Sequence, residues 1–342
     1  MFRLIILIAL ASVTAPAQRK SGSPLEHLPG NVELLTRFGE RADLSPDSSE
    51  VAFMSKSFGD AMVLDLKTRA IRCLTCGVPG AAFLRVMHLP SGDYLLTGPA
   101  RFTDIETGRR VEAEIWHMSR QPGSKPVPLG ERISEGIAIS RTSSRIAWAV
   151  TNRQDASVPA GRSLLVMAQL DVSGGKPRLI AKRTVYDADA AACSIEAQDF
   201  YANDSKMTFT CNEPNGAASV MSLDVATGKA VNCSQAPGTY NEVEAIFPDE
   251  KYVTVEADRH VKSLGGPGGE SQIDIWKLRL DSGGKDFLRL THFNDYTGWV
   301  ASNPVISRDG KFMVFQAGRS DAEAGAGFGL LMYRFASRPN PR

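Results

Sequence analysis

The chain has 342 residues, of which 39 are Lys or Arg and 38 are Asp or Glu, and its formal charge at pH 7 is +1. Its 43% hydrophobic and 23% charged residues are typical of a folded globular protein, and its length alone predicts about two domains. This near-neutral balance argues against a nucleic-acid partner, which needs a basic excess, and against acidic disorder or a polybasic membrane anchor.

The first residues have the pattern of a secretory signal peptide. A basic start containing Arg3 precedes the apolar run 4–13 and the small-residue motif Ala15-Pro16-Ala17. The apolar run is about half as long as a membrane-spanning helix, which needs roughly twenty residues. We therefore predict cleavage after Ala17, a periplasmic or secreted location and a mature chain without a membrane span.

The five cysteines are best interpreted in the light of export. In an oxidising compartment they are candidates for structural disulfides, and their odd number leaves at least one without an intramolecular partner. The candidates are Cys73, Cys76, Cys193, Cys211 and Cys233. The C-x-x-C pair at 73–76 has a redox or metal-binding alternative, but it lacks a βαβ setting and a second such motif. The pairing stays open.

One short unit recurs six times along the chain. It consists of an apolar strand, a turn rich in Pro, Asp, Ser and Gly, and a second apolar strand. The copies lie at 42–53, 88–96, 137–148, 199–209, 246–253 and 305–315. Their mean spacing of about 52 residues is close to the length of a propeller blade. With two more strands between copies, the pattern predicts an all-β fold, a six-bladed β-propeller.

The N-terminal segment is predicted to supply a strand that the last blade lacks. The sixth copy is followed by one strand at 329–335 and then by a Pro-rich tail, which makes a poor strand. The segment 31–36 resembles the strand at 287–291 that ends the fifth blade, so we predict that it closes the ring. The predicted organisation is a signal peptide (1–17), an N-terminal linker (18–30), a six-bladed β-propeller (31–335) and a C-terminal tail (336–342).

The turn sequences carry a family resemblance. L-S-P-D followed by V-A-F at 44–53, and I-S-R-D-G-K followed by V-F at 306–315, resemble the TolB-type propeller repeat, which reads roughly W-S-P-D-G-K-x-I-A-F. The resemblance covers nearly all of 31–335. It implies a periplasmic interaction module, the substrate-gating domain of a prolyl oligopeptidase, or the body of an oligogalacturonate-lyase-like enzyme, and fold does not choose among them.

Loop lengths predict which face of the propeller binds. In each blade the connections between the second and third strands share one face with the links between blades. The long connections fall on this side, which we call the long-loop face. They are 98–112, 151–163, 257–271 and 317–329, with the links 234–243 and 292–303. Because binding residues concentrate on loops held by a rigid scaffold, we expect the ligand there.

Polar and aromatic residues of blades four to six are the candidates for the ligand site. They are Asp199, Glu242, Glu244, Asp258, Arg259, His260, His292, Asp295, Tyr296, Trp299, Asn303 and Arg319. The functional interpretation is a pocket at the channel mouth, where aromatic rings stack on the ligand and Arg259 or Arg319 binds a carboxylate. The alternative is solvated loops and ordinary hydrogen bonds between blades.

Specific chemistry has less support in the sequence. No G-x-S-x-G motif or following hydrolase domain is seen, which excludes a self-contained prolyl oligopeptidase. No histidines have metal-ligand spacing, and His88 and His117, which lie in predicted strands, are interpreted as structural. A His-rich manganese centre of the lyase type is therefore not expected. We expect no cofactor, with calcium held by carboxylates such as Glu242 and Glu244 as the alternative.

The favoured hypothesis is an exported TolB-like propeller that binds a protein, peptide or glycan and has no catalysis of its own. The second is a carbohydrate-active, hydrolytic or lyase-type enzyme whose acid, base or metal-binding groups come from the same cluster. Those groups are Glu242, Glu244, Asp258, His260 and His292. A third is a structural subunit that assembles through its flat faces. The sequence leaves the oligomeric state open.

Overall fold

The computed structural model describes residues 19–80, 82–263, 265–322 and 325–336. The predicted signal peptide and nearly all of the predicted tail lie outside these ranges. Within them, twenty-four strands form six antiparallel sheets of four strands each. The sheets confirm the prediction of an all-β, six-bladed propeller.

Each blade is a meander whose first strand is innermost. The strands of blades 1 and 2 are β2 (Glu40–Leu44), β3 (Glu50–Met54), β4 (Ala61–Asp65), β5 (Ile71–Cys73), β6 (Arg85–His88), β7 (Tyr94–Gly98), β8 (Glu114–Met118) and β9 (Val127–Arg132). Those of blades 3 and 4 are β10 (Ile137–Ile139), β11 (Arg145–Val150), β12 (Arg162–Asp171), β13 (Arg178–Asp189), β14 (Ser194–Tyr201), β15 (Lys206–Asn212), β16 (Ala218–Asp224) and β17 (Ala230–Asn232). Those of blades 5 and 6 are β18 (Asn241–Ile246), β19 (Tyr252–Ala257), β20 (Asp274–Arg279), β21 (Phe287–Arg289), β22 (Trp299–Ile306), β23 (Phe312–Arg319), β24 (Leu330–Arg334) and β1 (Val32–Leu34).

The N-terminal strand closes the ring, as the sequence predicts. β1 pairs antiparallel with β24, and Val32 lies opposite Tyr333 while Leu34 lies opposite Leu331. The backbone N–H of Arg334 also donates to the carbonyl of Asn31 at 2.8 Å. The first and last parts of the propeller therefore share one sheet, and β24 has no open edge.

Serine side chains organise the turns between the first and second strands of blades. Ser45 Oγ accepts hydrogen bonds from the backbone N–H groups of Ser49 and Glu50 at 3.1 and 2.9 Å. Ser307 Oγ accepts from the N–H of Phe312 at 3.1 Å in the same way. These bonds give the repeated Ser a physical reason, because a short side-chain acceptor satisfies turn donors that the sheet leaves free.

Two arginines connect these turns across the ring. Arg308 in blade 6 donates to the carbonyl of Arg141 in blade 3 at 2.9 Å, and its backbone N–H donates to Ser48 Oγ in blade 1. Arg141 in turn donates to the carbonyl of Ile246 in blade 5 at 2.9 Å. Four blades are thus linked on the face opposite the long loops, which we call the turn face.

The apolar core lies between neighbouring blades. Between blades 1 and 6, for example, Val51, Phe53 and Leu64 pack against Val314 and Leu330, and all five are buried. Similar clusters fill the other contacts between successive blades. Apolar side chains thus cover both faces of each sheet. Most polar side chains therefore lie in the central channel or on the loops.

Short helices and disulfides belong to the connections. α1 (Ile105–Arg110) and α2 (Arg259–Lys262) lie in long loops, and none of the helices described could span a bilayer. The structure pairs Cys73 with Cys76 and Cys193 with Cys211, and Cys233 is a buried free thiol. The first pair joins neighbouring parts of blade 1, and the second joins the start of β14 to β15.

Candidate functional site

Two cavities lie along the central channel. A wide cavity of about 830 Å³ is lined at the long-loop face by residues such as Arg109 and Arg319, and a narrow cavity of about 140 Å³ lies toward the turn face. Arg41, Arg85 and Glu244 line both. The two cavities are therefore successive parts of one channel.

Charged side chains reach the channel because they alternate with buried apolar residues on the innermost strands. Glu242 and Glu244 flank Val243 on β18, and Glu196 precedes Ala197 on β14; both apolar residues are fully buried. Successive side chains of a strand point to opposite sides, so the apolar partners pack between blades while the carboxylates line the wide cavity.

Three glutamates form an acidic wall in blade 5, namely Glu242, Glu244 and Glu256. Each offers a carboxylate oxygen within 4.8 Å of the others. The Tyr240 hydroxyl donates to Glu242, and the backbone N–H of Asn303 donates to Glu256. The arginine ion pairs of the channel use other carboxylates, and in the described part of the chain none reaches the acidic wall. No arginine among the described residues thus forms a direct ion pair with the wall, although the charge of Arg85 opposes the rise in the pKa of Glu244.

The acidic wall holds protons more tightly than ordinary carboxylates. Burial raises the pKa of Glu256 to about 8, with help from the charge of Glu242. Burial and the neighbouring Glu196 raise the pKa of Glu242, while burial and Glu256 raise the pKa of Glu244. Burial and mutual repulsion both penalise ionisation, so a bound cation would stabilise the charged form.

The opposite side of the channel is basic. Arg109 Nε donates to Glu135 at 2.7 Å, and Arg85 lies 3.4 Å from Glu196. Burial alone would raise the pKa of Glu135, but Arg109 and Arg41 overcome it and hold the value at about 2. The guanidinium of Arg41 lies 3.8 Å from Glu40. We call Arg41, Arg85 and Arg109 the basic wall.

One glycine allows blades 3 and 4 to approach closely beside the channel. Gly136 has a φ of +71°, and a Cβ at this position would lie 2.4 Å from Glu196 Cγ and 2.7 Å from the Ala197 carbonyl. Only glycine fits this close approach without moving backbone. The contact holds Glu135 beside Glu196, so the like charge raises the pKa of Glu196 in addition to burial.

Four of the predicted site residues line the wide cavity, and a fifth lines the narrow one. Glu242, Glu244, Asn303 and Arg319 lie around the wide cavity. Asp199 lies in the narrow cavity, where it accepts from Arg141 at 2.6 Å and from the Ile246 N–H at 3.1 Å. The structure thus brings Glu242 and Glu244 together around one cavity with Asn303 and Arg319.

Three predicted residues near α2 line neither cavity. Asp258 is fully buried and accepts from the N–H groups of Tyr240 and Gly269 at 3.0 and 2.6 Å. The Arg259 guanidinium lies 3.8 Å from the centre of the Phe287 ring. His260 stacks on Trp276 and bonds Asn294 at 3.0 Å, and burial lowers its pKa to about 4.

The remaining four lie at the approach to blade 6, where they hold the N-terminal segment or the link itself. Trp299 is buried and its Nε1 donates to the Gly22 carbonyl at 3.2 Å. Tyr296 lies under Lys20, with 5.2 Å between the ammonium and the ring centre. Asp295 accepts from Arg289 at 2.7 Å, and His292 is exposed beside it at 3.5 Å. This part of the predicted cluster does not reach the wide cavity.

Several channel residues escaped the sequence-based prediction. They are Arg41, Arg85, Arg109, Glu135, Glu196 and Glu256. The signal that could have found most of them is a charged residue within an otherwise apolar strand, such as Arg85 before Val86 and Glu256 after Val255. Nothing local marks Arg109, which lies on α1 in a long loop.

Solved structures share the architecture at low sequence identity. A protein assigned as TolB from Agrobacterium tumefaciens is 15% identical, with a TM-score of 0.52 over 81% of this chain and 98% of its own. The chain has a TolB-like propeller fold. At these identities the likeness shows the fold alone.

Other propellers match equally well. The gluconolactonase XC5397 from Xanthomonas campestris is 11% identical, with a TM-score of 0.54 over 94% of this chain and 95% of its own. U3-55K is 11% identical, with a TM-score of 0.52 over 89% and 98% of the two chains. No family model and no curated protein matches the sequence. The propeller fold is therefore shared with at least one enzyme, and it does not by itself decide the function.

Proposed function

We propose that this TolB-like propeller is an exported, periplasmic or secreted binding module that takes a protein or peptide segment into the wide cavity. The acidic wall carries the proposal, because Glu242, Glu244 and Glu256 face a large cavity with no cation paired to them in the described structure. A Lys or Arg side chain of the ligand supplies that cation. A neutral glycan does not, which favours a peptide.

The cavity fits such a segment in size and in polarity. Its volume of about 830 Å³ is within the range of roughly 300 to 1,000 Å³ that is usual for ligand pockets. The acidic wall in blade 5 receives the basic side chain. Arg41, whose direct ion pair with Glu40 among the described residues spans 3.8 Å, is placed to bind a carboxylate of the same ligand. The preferred ligand therefore carries both charges.

The test is binding of labelled peptides to the mature chain at low salt. A Gly/Ser peptide with several Lys and Arg residues is compared with a matched Glu-containing peptide and a neutral oligosaccharide, by fluorescence anisotropy. We expect the basic peptide to bind, and Glu244→Gln to weaken it at least tenfold. Glu131→Gln, on outer strand β9, is the matched control. Native-like binding by Glu244→Gln would contradict the proposal.

A second candidate function is supported by the oxygen ligands of the same wall. Besides three carboxylates, the site contains Asn303 Oδ1, a buried acceptor without a partner among the described residues. Carboxylate and amide oxygens suit Ca²⁺. The candidate is a calcium-dependent enzyme of the carbohydrate-active or hydrolytic kind, in which Glu242, Glu244 and Glu256 would hold the metal and the metal would act as a Lewis acid.

Calcium binding separates the two candidates. For the enzyme, we expect Ca²⁺ in the purified protein by elemental analysis, and a rise in Tm when Ca²⁺ is added to chelator-treated protein. Glu256→Gln should abolish this rise, while Glu131→Gln keeps it. A chain that contains no Ca²⁺ and shows no rise would exclude this candidate and leave the peptide-binding proposal intact.

A further inference from the structure

The narrow cavity at the turn face has its own set of polar side chains. It is lined by the arginines Arg41, Arg85, Arg141 and Arg308, by the carboxylates Asp43, Asp199 and Glu244, and by His88 and Gln198. Most of these residues take no part in the peptide site proposed above. The cavity therefore needs its own explanation.

The carboxylates of this cavity are already engaged. Asp43 accepts from the backbone N–H of His88 at 2.6 Å and lies 3.1 Å from Nδ1 of the same ring. Asp199 accepts from Arg141 and from the N–H of Ile246. Glu244 belongs to the acidic wall, where a carboxylate oxygen lies within 4.8 Å of Glu256. Little negative charge is left for a further cation.

Arg308 is the cation without a carboxylate partner. Its Nη2 donates to the carbonyl of Arg141 at 2.9 Å, and no ion pair among the described residues includes it. Partial burial and the nearby charge of Arg141 lower the pKa of Arg308, and the charges of Asp199 and Asp43 oppose this without cancelling it. Two guanidinium groups thus lie close together at this end of the channel, and a bound anion would relieve their repulsion.

Two buried polar atoms of the cavity also lack partners. His88 is only 8% exposed, and its Nε2 has no hydrogen-bond partner in the described structure. The same holds for Nε2 of Gln198. With the Nδ1 proton directed at Asp43, Nε2 of the same ring is an acceptor that has no donor among the described residues. A buried polar atom without a partner is costly and points to a ligand.

We propose that the narrow cavity binds a small oxyanion that carries a hydroxyl group, with hydrogenphosphate as the best match. Its charged oxygens accept from Arg308, Arg141 and Gln198, and its O–H donates to Nε2 of His88. Phosphate pairs well with guanidinium groups and keeps an O–H at neutral pH. Arg41, Arg85 and Glu244 line both this cavity and the wide cavity, and Arg308 is exposed at the turn face.

The experiment is calorimetric titration of the mature chain with inorganic phosphate in phosphate-free Tris-chloride. Lactate, which combines a carboxylate with a hydroxyl, is the second probe and tells a hydroxy acid from a phosphate. We expect saturable phosphate binding that Arg308→Gln weakens at least tenfold. Arg279→Gln, an exposed arginine at the end of β20, is the matched control. Absence of binding by both probes would overturn the proposal.

A second variant separates ligand binding from a structural role. Gln198→Met keeps the size of the side chain and removes the donor without a partner, so Tm should stay equal or rise while phosphate affinity falls. A purely structural Gln198 would instead give a lower Tm and unchanged affinity. Native-like affinity in both Gln198→Met and Arg308→Gln would overturn the site.

Discussion

Glu256 shows at the scale of one residue how the channel depends on pH. It is 4% exposed, and burial beside Glu242 raises its pKa to about 8. In the unfolded chain the pKa of the same carboxyl is about 4.3. Between these values the folded state holds more protons than the unfolded state, so stability falls as pH rises.

We therefore expect Glu256→Gln to reduce the loss of stability between about pH 5 and about pH 8, because the amide keeps the shape of the side chain and cannot ionise. The difference from the native chain should reach a few kcal/mol at the upper end, and the variant should be the more stable protein there. Calorimetric Tm values across this range check it. Parallel pH profiles for the native and variant proteins would contradict the assignment, and Glu131→Gln is the control.

Single residues of the site could be predicted from the sequence only in part. Glu242 and Glu244 stand two apart in an apolar strand, a pattern that places both on one side of a sheet. Glu256 has the same kind of signal, a charge in the apolar strand β19, but Glu135 lies in a link between strands and became recognisable only when the ring brought other strands beside it. The sequence predicts that His88 is structural, and its Nδ1 does contact Asp43. Its Nε2, however, is buried and has no hydrogen-bond partner in the described structure.

Among the elements, β1 has the largest predicted consequence for stability. It is only three residues long, yet it supplies the outermost strand of blade 6. We expect deletion of residues 31–36 to lower Tm sharply, because β24 loses its partner and the contact between the chain ends is broken. Thermal unfolding followed by circular dichroism measures the change.

Glu33→Gln is the control for this deletion. It keeps the strand and removes exposed ion pairs of Glu33 with Arg69 and Arg334. Exposed pairs contribute little, so Tm should change by a small amount only. If the deletion had an effect as small as that of the point variant, the closing strand would not be essential.

The strands were predictable as elements, whereas the short helices were not. The repeated turn and the apolar runs around it are local in sequence, and they gave six blades and the closing strand. α1 has too few residues for a periodic pattern, and its start depends on one side chain, Asp104, which accepts from the N–H of Thr107 at 2.8 Å. Such a cap is a weak signal in a long polar loop.

For the whole molecule, the formal charge of +1 conceals a separation of charge across the ring. The basic wall belongs to blades 1 and 2, and the acidic wall belongs to blade 5. Only closure of the ring turns these distant sequence segments toward the same space. The near-zero net charge therefore could not predict a strongly polar channel, because net charge sums positive and negative residues that the fold places on different sides of the ring.

The cross-ring bonds of Arg141 and Arg308 also affect how the ring can deform. Blades 1, 3, 5 and 6 are tied together at the turn face, whereas the long-loop face has loops of unequal length around a large cavity. If the round ring becomes elliptical, these hydrogen bonds at the turn face are stretched. At the long-loop face no comparable bonds across the ring are described, so the same distortion costs less there. Motions that change the width of the channel should therefore be smallest at the turn face, near Arg141 and Arg308. They should be largest at the long-loop face, where a ligand would enter.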